Sequence, residues 1–174
     1  MANDVTYYNN YDYTNYKEEY QRFLQENGPY KYHISITLIR NYSERQLVKR
    51  INFLLKVLSR NIFNNRKNEI LLEGFCCIES SSAGSRCSKH CHILLNDHQK
   101  LDSDTFTEIF YKSLDRLKVR IHGNYINKAE FDHECVKVIS IYDEEPLIDY
   151  VTDEFWKDKD GNFIKPIYKQ GLLV

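Results

Sequence analysis

The chain has 174 residues, of which 42% are hydrophobic, enough to build the core of a single domain. The net charge is −1, so the chain as a whole lacks the basic excess typical of many nucleic-acid-binding domains. No apolar run reaches the roughly 20 residues of a membrane span, and the N-terminus has no secretory-signal pattern. We therefore expect a cytoplasmic protein that makes no membrane contact, whose five cysteines are free thiols.

The first 30 residues predict a Tyr-rich arm followed by a short helix from Thr14 to Glu26. Asn27, Gly28 and Pro29 then end that helix. We expect residues 31–160 to form the functional domain and residues 161–174 to form a C-terminal tail.

Alternating β-branched and polar residues predict a strand from Tyr32 to Ile39. Ser43 is three residues before Gln46, a spacing that resembles a capping box and predicts the start of a helix. Apolar residues then recur at helical spacing as far as Ile62.

Further strands are predicted at residues 70–79, 90–95 and 135–141, with a loop between the first two. Helices are predicted at residues 103–118 and 145–155, the second with Pro146 in its first turn. The order β-α-β-β-α-β-α matches, in its first six elements, the split βαβ or ferredoxin-like arrangement. The expected fold class is α+β, with a central antiparallel sheet, two main helices on one face, and an open second face that offers room for a site.

Positive charge is concentrated between Arg40 and Lys67, where eight basic residues and one acid give 8 − 1 = +7. Such an excess can hold phosphates although the whole chain is nearly neutral. If the protein binds DNA, the expected phosphate contacts are Arg45, Lys49, Arg50 and Lys56. The alternative is an ordinary solvated helix face.

His90 and His92 open the strand HCHILL, where residues two apart point to the same face. Two imidazoles side by side can coordinate a divalent ion, and Glu79, at the end of the preceding strand, is a candidate third ligand. One alternative is two ordinary strand residues. Another is structural zinc on the cluster formed by Cys87, His90, Cys91 and His92, although structural zinc sites use two separated ligand pairs.

The segment His90-Cys91-His92-Ile93-Leu94-Leu95 resembles the His-hydrophobe-His motif of HUH endonucleases, which include rolling-circle replication initiators, relaxases and single-tyrosine transposases. Residues 35–38 resemble the first strand motif of the initiators, and residues 74–79 resemble the strand that ends in their glutamate. Tyr150-Val151-Thr152 falls where that family keeps its nucleophilic tyrosine. The resemblance covers roughly residues 31–157, and the order of the motifs is more specific than any one of them.

The resemblance implies sequence-specific nicking and joining of single-stranded DNA by Tyr150, on a catalytic helix at the C-terminal side of the domain. It implies Mg²⁺ or Mn²⁺ held by His90, His92 and a carboxylate. That carboxylate is Glu79 if the initiators are the better guide, or Glu154 if the small transposases are. The implied substrate is an origin or hairpin, and a helicase and a polymerase from the host or a virus are the implied partners.

The chain departs from the initiator pattern in one respect. Initiators usually carry a lysine three or so residues after the tyrosine, and Asp153 and Glu154 stand at those positions here. A DNA-binding protein of the same fold without nuclease activity, or a small single-tyrosine transposase, is therefore the alternative. Tyr142 is the next candidate nucleophile. His33-Ile34-Ser35 also resembles one of the two His-x-Ser/Thr motifs of metal-independent two-histidine phosphoesterases, but the second copy is missing.

Overall fold

The computed structural model describes residues 11–38, 43–64, 66–67, 69–79, 90–101, 103–121, 124–129, 131–152 and 163–172. The architecture is mixed α+β. The helices are α1 (Tyr11–Glu26), α2 (Glu44–Phe63), α3 (Ser103–Leu114) and α4 (Glu145–Thr152). The strands are β1 (Tyr30–Leu38), β2 (Gly74–Glu79), β3 (His90–Asn96), β4 (Lys118–Ile121), β5 (Asn124–Ala129), β6 (Phe131–Ser140) and β7 (Phe163–Pro166).

Five of these strands form one sheet in the order β6-β1-β3-β2-β7, and every neighbouring pair is antiparallel. The predicted central antiparallel sheet is thus confirmed. Strand β7 comes from the predicted C-terminal tail and adds an outer strand beside β2. Strands β4 and β5 form a separate hairpin that the sequence patterns did not predict.

Helix α2 begins as predicted, because Ser43 and Gln46 form a reciprocal capping box. Its apolar residues recur every three or four positions and are buried on one side of the helix, as an amphipathic helix requires. That side packs with α3 against one face of the sheet, in the larger of two apolar clusters. On β3, the residues in this cluster are Cys91, Ile93 and Leu95.

The second face of the sheet is not open throughout, contrary to the sequence-based expectation. A smaller cluster there packs Leu24 of α1, and Ile148 and Val151 of α4, against Leu94 and other residues of the sheet. The sheet therefore carries the expected layer of α2 and α3 on one face and a second, partial layer of α1 and α4 on the other. The sequence-based predictions did not assign α1 to a face of the sheet.

Helices α1 and α4 are held to each other by polar contacts as well as by the smaller cluster. The Lys17 ammonium lies 2.9 Å from Asp149 Oδ1, and Gln21 Nε2 donates to the same oxygen at 2.9 Å. At the start of α4, Glu144 accepts a hydrogen bond from the backbone N–H of Tyr30 at the start of β1. These contacts fix α4 relative to the sheet.

Several predicted boundaries differ from the structure; β6, for example, begins at Phe131, four residues before the predicted start. Residues 70–73 were expected to belong to the second strand, but the backbone N–H of Ile70 bonds to the Lys169 carbonyl and that of Leu71 to Ser59 Oγ. Strand pairing begins only at Gly74, and α3 ends at Leu114 rather than near Lys118. None of the described helices is both long enough and apolar enough to cross a membrane.

Candidate active site

His92 lies in the middle of the sheet, on the face that also carries α4. Strand β3 is flanked by β1 and β2, and its His92 pairs with Ser35 on one side and Cys77 on the other. Because side chains alternate along a strand, His92 and Leu94 point away from the cluster that holds Cys91 and Ile93. On β1 the same alternation brings His33 and Ser35 to the face of His92.

His33 and His92 are in direct contact beneath this face. His33 Nε2 lies 2.9 Å from His92 Nδ1, a hydrogen-bond distance, and the two rings are stacked with centroids 5.1 Å apart. The side chains are 5% and 1% exposed, respectively. A buried N–H···N bond of this kind gives each imidazole one orientation and couples the proton position of one ring to that of the other.

Tyr150 lies above this pair. Its ring centroid is 5.4 Å from that of His92 and 6.3 Å from that of His33, both in edge-to-face arrangements. Helix α4 sets this position by burying Ile148 and Val151 while Tyr150 remains 59% exposed. The tyrosine that the family resemblance selects thus touches the second histidine of the His-x-His pair, and it is also accessible from solvent.

The charge beside Tyr150 is compensated. Asp149 precedes it, and the hydrogen bond and charge of Lys17, with a contribution from Gln21, hold the pKa of the Asp149 carboxyl below its usual value. The negative charge of Asp149 near the site is therefore paired with the positive charge of Lys17.

Tyr30, in the smaller apolar cluster, is a second group with a shifted pKa. Burial raises the pKa of the Tyr30 phenol above its usual value, the charges of Cys77 and Glu144 raise it further, and the phenol stays protonated.

The remaining predicted metal ligands are described only through the backbone, or not at all. His90 and Glu79 pair with each other across β3 and β2, so the strand that ends in Glu79 does run beside the His-x-His segment. The side chains of both residues, and all of Glu154, lie outside the described part of the chain. Among the side chains that are described, no group of three or more His, Cys, Asp or Glu is placed to hold a metal ion.

The basic residues predicted to bind DNA do not meet the histidines. Arg45 and Lys49 are exposed on α2, and Arg50 and Lys56 are half-buried. Helix α2 packs on the sheet face opposite to His92 and Tyr150, and these side chains lie away from its buried side. Two packed layers, on the order of 20 Å, therefore separate this basic surface from the candidate site.

A different lysine lies on the face of the histidines. Lys137 of β6 pairs with Ser35, which pairs in turn with His92, so the three residues form one row across β6, β1 and β3. Lys137 is exposed, and its neighbours Val136 and Val138 belong to the opposite face. We call the surface formed by His33, Ser35, His92, Lys137 and Ile139 the site face.

The contact of His33 with His92 was not predicted from the sequence, where His33 appears only in a segment that resembles a phosphoesterase motif. The alternation in YHISITL puts His33 on the side opposite to Ile34 and Ile36, and the split βαβ order makes β1 a neighbour of the His-x-His strand. These two signals together would have placed His33 near His92, although not at hydrogen-bond distance.

Comparisons of the chain with models of protein families, with curated proteins and with solved structures found no match.

Proposed function

We propose that this protein is an HUH-type single-strand DNA endonuclease, with Tyr150 as nucleophile and a divalent metal ion held at His92. The observation that carries the proposal is the contact between Tyr150 and His92. The motif order picks Tyr150 from 14 tyrosines without reference to distance, and in the folded chain its ring lies 5.4 Å from that of His92. A catalytic tyrosine must be able to reach the phosphate that the metal holds.

The fold supports the same proposal at a coarser level. Strands β1, β2, β3 and β6 follow one another with α2 and α3 between them, and their order in the sheet is β6-β1-β3-β2. We infer that this core is the ferredoxin-like split βαβ. Chemistry on such a sheet takes place on the face away from α2 and α3, which here is the site face.

The donor set fits a hard or borderline divalent cation. The contact with His33 engages Nδ1 of His92, so His92 would bind a metal through Nε2. The backbone pairing of His90 with Glu79 brings an imidazole and a carboxylate residue to neighbouring positions on adjacent strands. Imidazole and carboxylate ligands suit Mn²⁺ and Mg²⁺, and the bound ion would offset negative charge on a non-bridging phosphate oxygen.

The chain's own part in the reaction is a transesterification. The Tyr150 phenol loses its proton and its oxygen forms a bond to phosphorus, while the bond from phosphorus to the 3′ oxygen breaks and that oxygen takes up a proton. The product is a 5′-phosphotyrosine and a free 3′-OH. No bond energy is lost to hydrolysis, so the same site can rejoin the strand.

The site face also offers a cation that could replace the lysine that initiators usually carry and this chain lacks. Asp153 and Glu154 stand where initiators usually carry lysine after the tyrosine. Lys137, in the row that leads through Ser35 to His92, would supply positive charge to the bound strand instead. We infer from the initiator-like motifs that the role is to start rolling-circle replication of a plasmid or a single-stranded DNA virus, with helicase and polymerase supplied by the host or virus. Transposition is the alternative use of the same chemistry.

The test is the formation of a covalent adduct between the full chain and labelled single-stranded DNA in Mn²⁺, followed on a denaturing gel. Because the recognised sequence is unknown, a pool of random single-stranded sequences is used first, and the adducts are sequenced to find the preferred site. Adduct formation is expected with the unaltered chain, and is expected to disappear with Tyr150→Phe or with a chelator.

Tyr142→Phe is the matched control, because Tyr142 is 97% exposed at the end of β6 and is the other candidate nucleophile. An adduct that survives Tyr150→Phe but not Tyr142→Phe would contradict the assignment. Specific DNA binding without any adduct would identify a nuclease-inactive binding protein. Cleavage that resists chelation would indicate the two-histidine phosphoesterase chemistry, which the direct contact of His33 with His92 disfavours because it leaves no space for a phosphate between the rings.

A further inference from the structure

The N–H···N contact between His33 and His92 can exist in two forms, and only one of them suits metal binding. A neutral imidazole carries one proton, on either Nδ1 or Nε2. If His33 Nε2 donates to His92 Nδ1, then neutral His92 has its proton on Nε2 and no lone pair there. If His92 Nδ1 donates to His33 Nε2, then the Nε2 of His92 carries the lone pair that a cation requires.

We propose that His33 is the positioning residue that orients His92 and holds it in the tautomer protonated on Nδ1. This inference rests on the proposed function, since it concerns the same site. His33 Nε2 lies 2.9 Å from His92 Nδ1, and both rings are at least nine-tenths buried. In the proposed tautomer, His33 Nε2 is the acceptor. A hydrogen bond from the far nitrogen of a ligating histidine fixes both its rotation and its tautomer.

The surroundings of the pair explain why the orientation depends on His33. His92 is held between β1 and β2, where Ser35 and Cys77 are its cross-strand neighbours, and Tyr150 meets the rings edge-on. The 2.9 Å contact with His33 reaches Nδ1 at the observed ring rotation. Loss of this acceptor would take a hydrogen-bond partner from a buried N–H, which favours a turned ring or the other tautomer.

Three variants of the full chain test this role. His33→Leu removes the acceptor and puts an apolar side chain of similar size in its place. His33→Gln keeps an acceptor, because the Gln Oε1 extends about as far from the backbone as the histidine Nε2. His98→Leu is the matched control, since His98 is exposed after β3 and does not belong to the site face.

The first readout is Mn²⁺ affinity without DNA, from the electron paramagnetic resonance signal of free Mn²⁺. We expect a loss of roughly 10–100-fold for His33→Leu, the usual effect of removing such a partner, near-native affinity for His33→Gln, and no change for His98→Leu. The second readout is long-range ¹⁵N–¹H correlation of the histidine rings in the metal-free chain, which is expected to report His92 protonated on Nδ1.

Each result has one meaning. His33→Leu with native Mn²⁺ affinity, or His92 protonated on Nε2, would overturn the positioning role and leave the proposed nuclease intact. An equal loss in His33→Leu and His33→Gln would mean that the His33 imidazole itself is required, which also overturns it. An unaltered chain that does not bind Mn²⁺ would defeat both proposals. If His33→Leu fails to fold, His33→Gln and the tautomer spectrum of the unaltered chain still decide.

Discussion

At the residue scale, Gly74 determines how β2 lies against β3. Its φ is +141°, and a Cβ on this residue would lie 1.9 Å from the carbonyl oxygen of Leu94. That oxygen belongs to the backbone and cannot move aside without breaking the ladder. The close approach begins the pairing that continues through Cys77 and His92 to Glu79 and His90. A glycine at the start of β2 is thus part of the reason that a carboxylate residue lies beside the His-x-His segment.

Gly74→Ala is therefore expected to lower the free energy of unfolding by at least about 1–3 kcal/mol, the cost of a strained backbone conformation. The clash with Leu94 adds to this cost. Urea unfolding followed by circular dichroism measures it, and Glu73→Ala, an exposed change one residue earlier, serves as the control. Equal unfolding midpoints for the two variants would mean that the start of β2 can shift without cost.

At the scale of elements, the position of Tyr150 depends on how α4 is held by α1. Lys17 and Gln21 of α1 both reach Asp149, one residue before Tyr150. The Lys17 contact lowers the pKa of the Asp149 carboxyl below its ordinary 3.8. A carboxyl whose folded pKa is lowered contributes stability above its unfolded pKa, and that contribution is lost as pH falls through the folded value.

A double-mutant cycle on Lys17→Gln and Asp149→Asn tests the tether. Each single change is expected to lower the melting temperature slightly at neutral pH, and the double change is expected to cost less than the sum. The effect is small because the carboxylate is exposed and screened by solvent. The coupling should vanish as pH falls through the folded pKa of Asp149, which lies below 3.8, because the carboxyl is then protonated. No coupling at neutral pH would mean that the two helices are held by packing alone.

Strand β6 brings Lys137 to the row of Ser35 and His92, about two strand spacings or 10 Å from His92. If Lys137 contacts a phosphate of bound single-stranded DNA, Lys137→Gln should weaken binding at low salt. It should also reduce the slope of log affinity against log salt by about 0.7. Fluorescence anisotropy at several salt concentrations gives the slope, and Lys100→Gln, in the exposed turn after β3, is the control. If the slope of log affinity against log salt is unchanged in both variants, Lys137 does not contact a phosphate of the bound DNA.

At the scale of the whole molecule, the periodic patterns predicted most of the architecture. The capping box at Ser43 and the helical spacing up to Ile62 gave α2, and alternation gave the cores of β1, β3 and β6. Burial of one face per element is a local property, so it can be read from a short stretch of sequence. The antiparallel arrangement of the central sheet followed from the order of these elements.

The features that the sequence did not reveal depend on contacts between distant segments. Strand β7 has only four residues, FIKP, and its strand character comes from pairing with β2. Helix α1 covers the second face because Leu24 meets residues of β2, β3 and α4 there, which no local period encodes. The contact of His33 with His92 likewise depends on the register of β1 against β3, and a shift of one residue would separate the rings.

Positive charge lies on two opposite faces of the molecule, and this arrangement limits the path that bound DNA could take. Arg45, Lys49, Lys56 and Arg60 line the outer side of α2 around Phe53, which is 51% exposed. This surface, the α2 stripe, is behind the sheet as seen from Tyr150. A DNA strand bound at the site face can reach the α2 stripe only by passing around an edge of the sheet. A short oligonucleotide therefore cannot contact both surfaces.

Replacing Arg45, Lys49 and Lys56 together by Gln is therefore expected to leave adduct formation unchanged on an oligonucleotide that spans only the cleavage site. On longer DNA with flanking duplex, the same variant should bind more weakly. The salt slope should fall by about 0.9 for each duplex phosphate contact that is lost. Adduct yield and anisotropy on the two substrates separate these effects. If the triple variant loses adduct formation on the short substrate as completely as Tyr150→Phe, while remaining folded, the scissile strand must run along α2 and the site face would not be where DNA is cut.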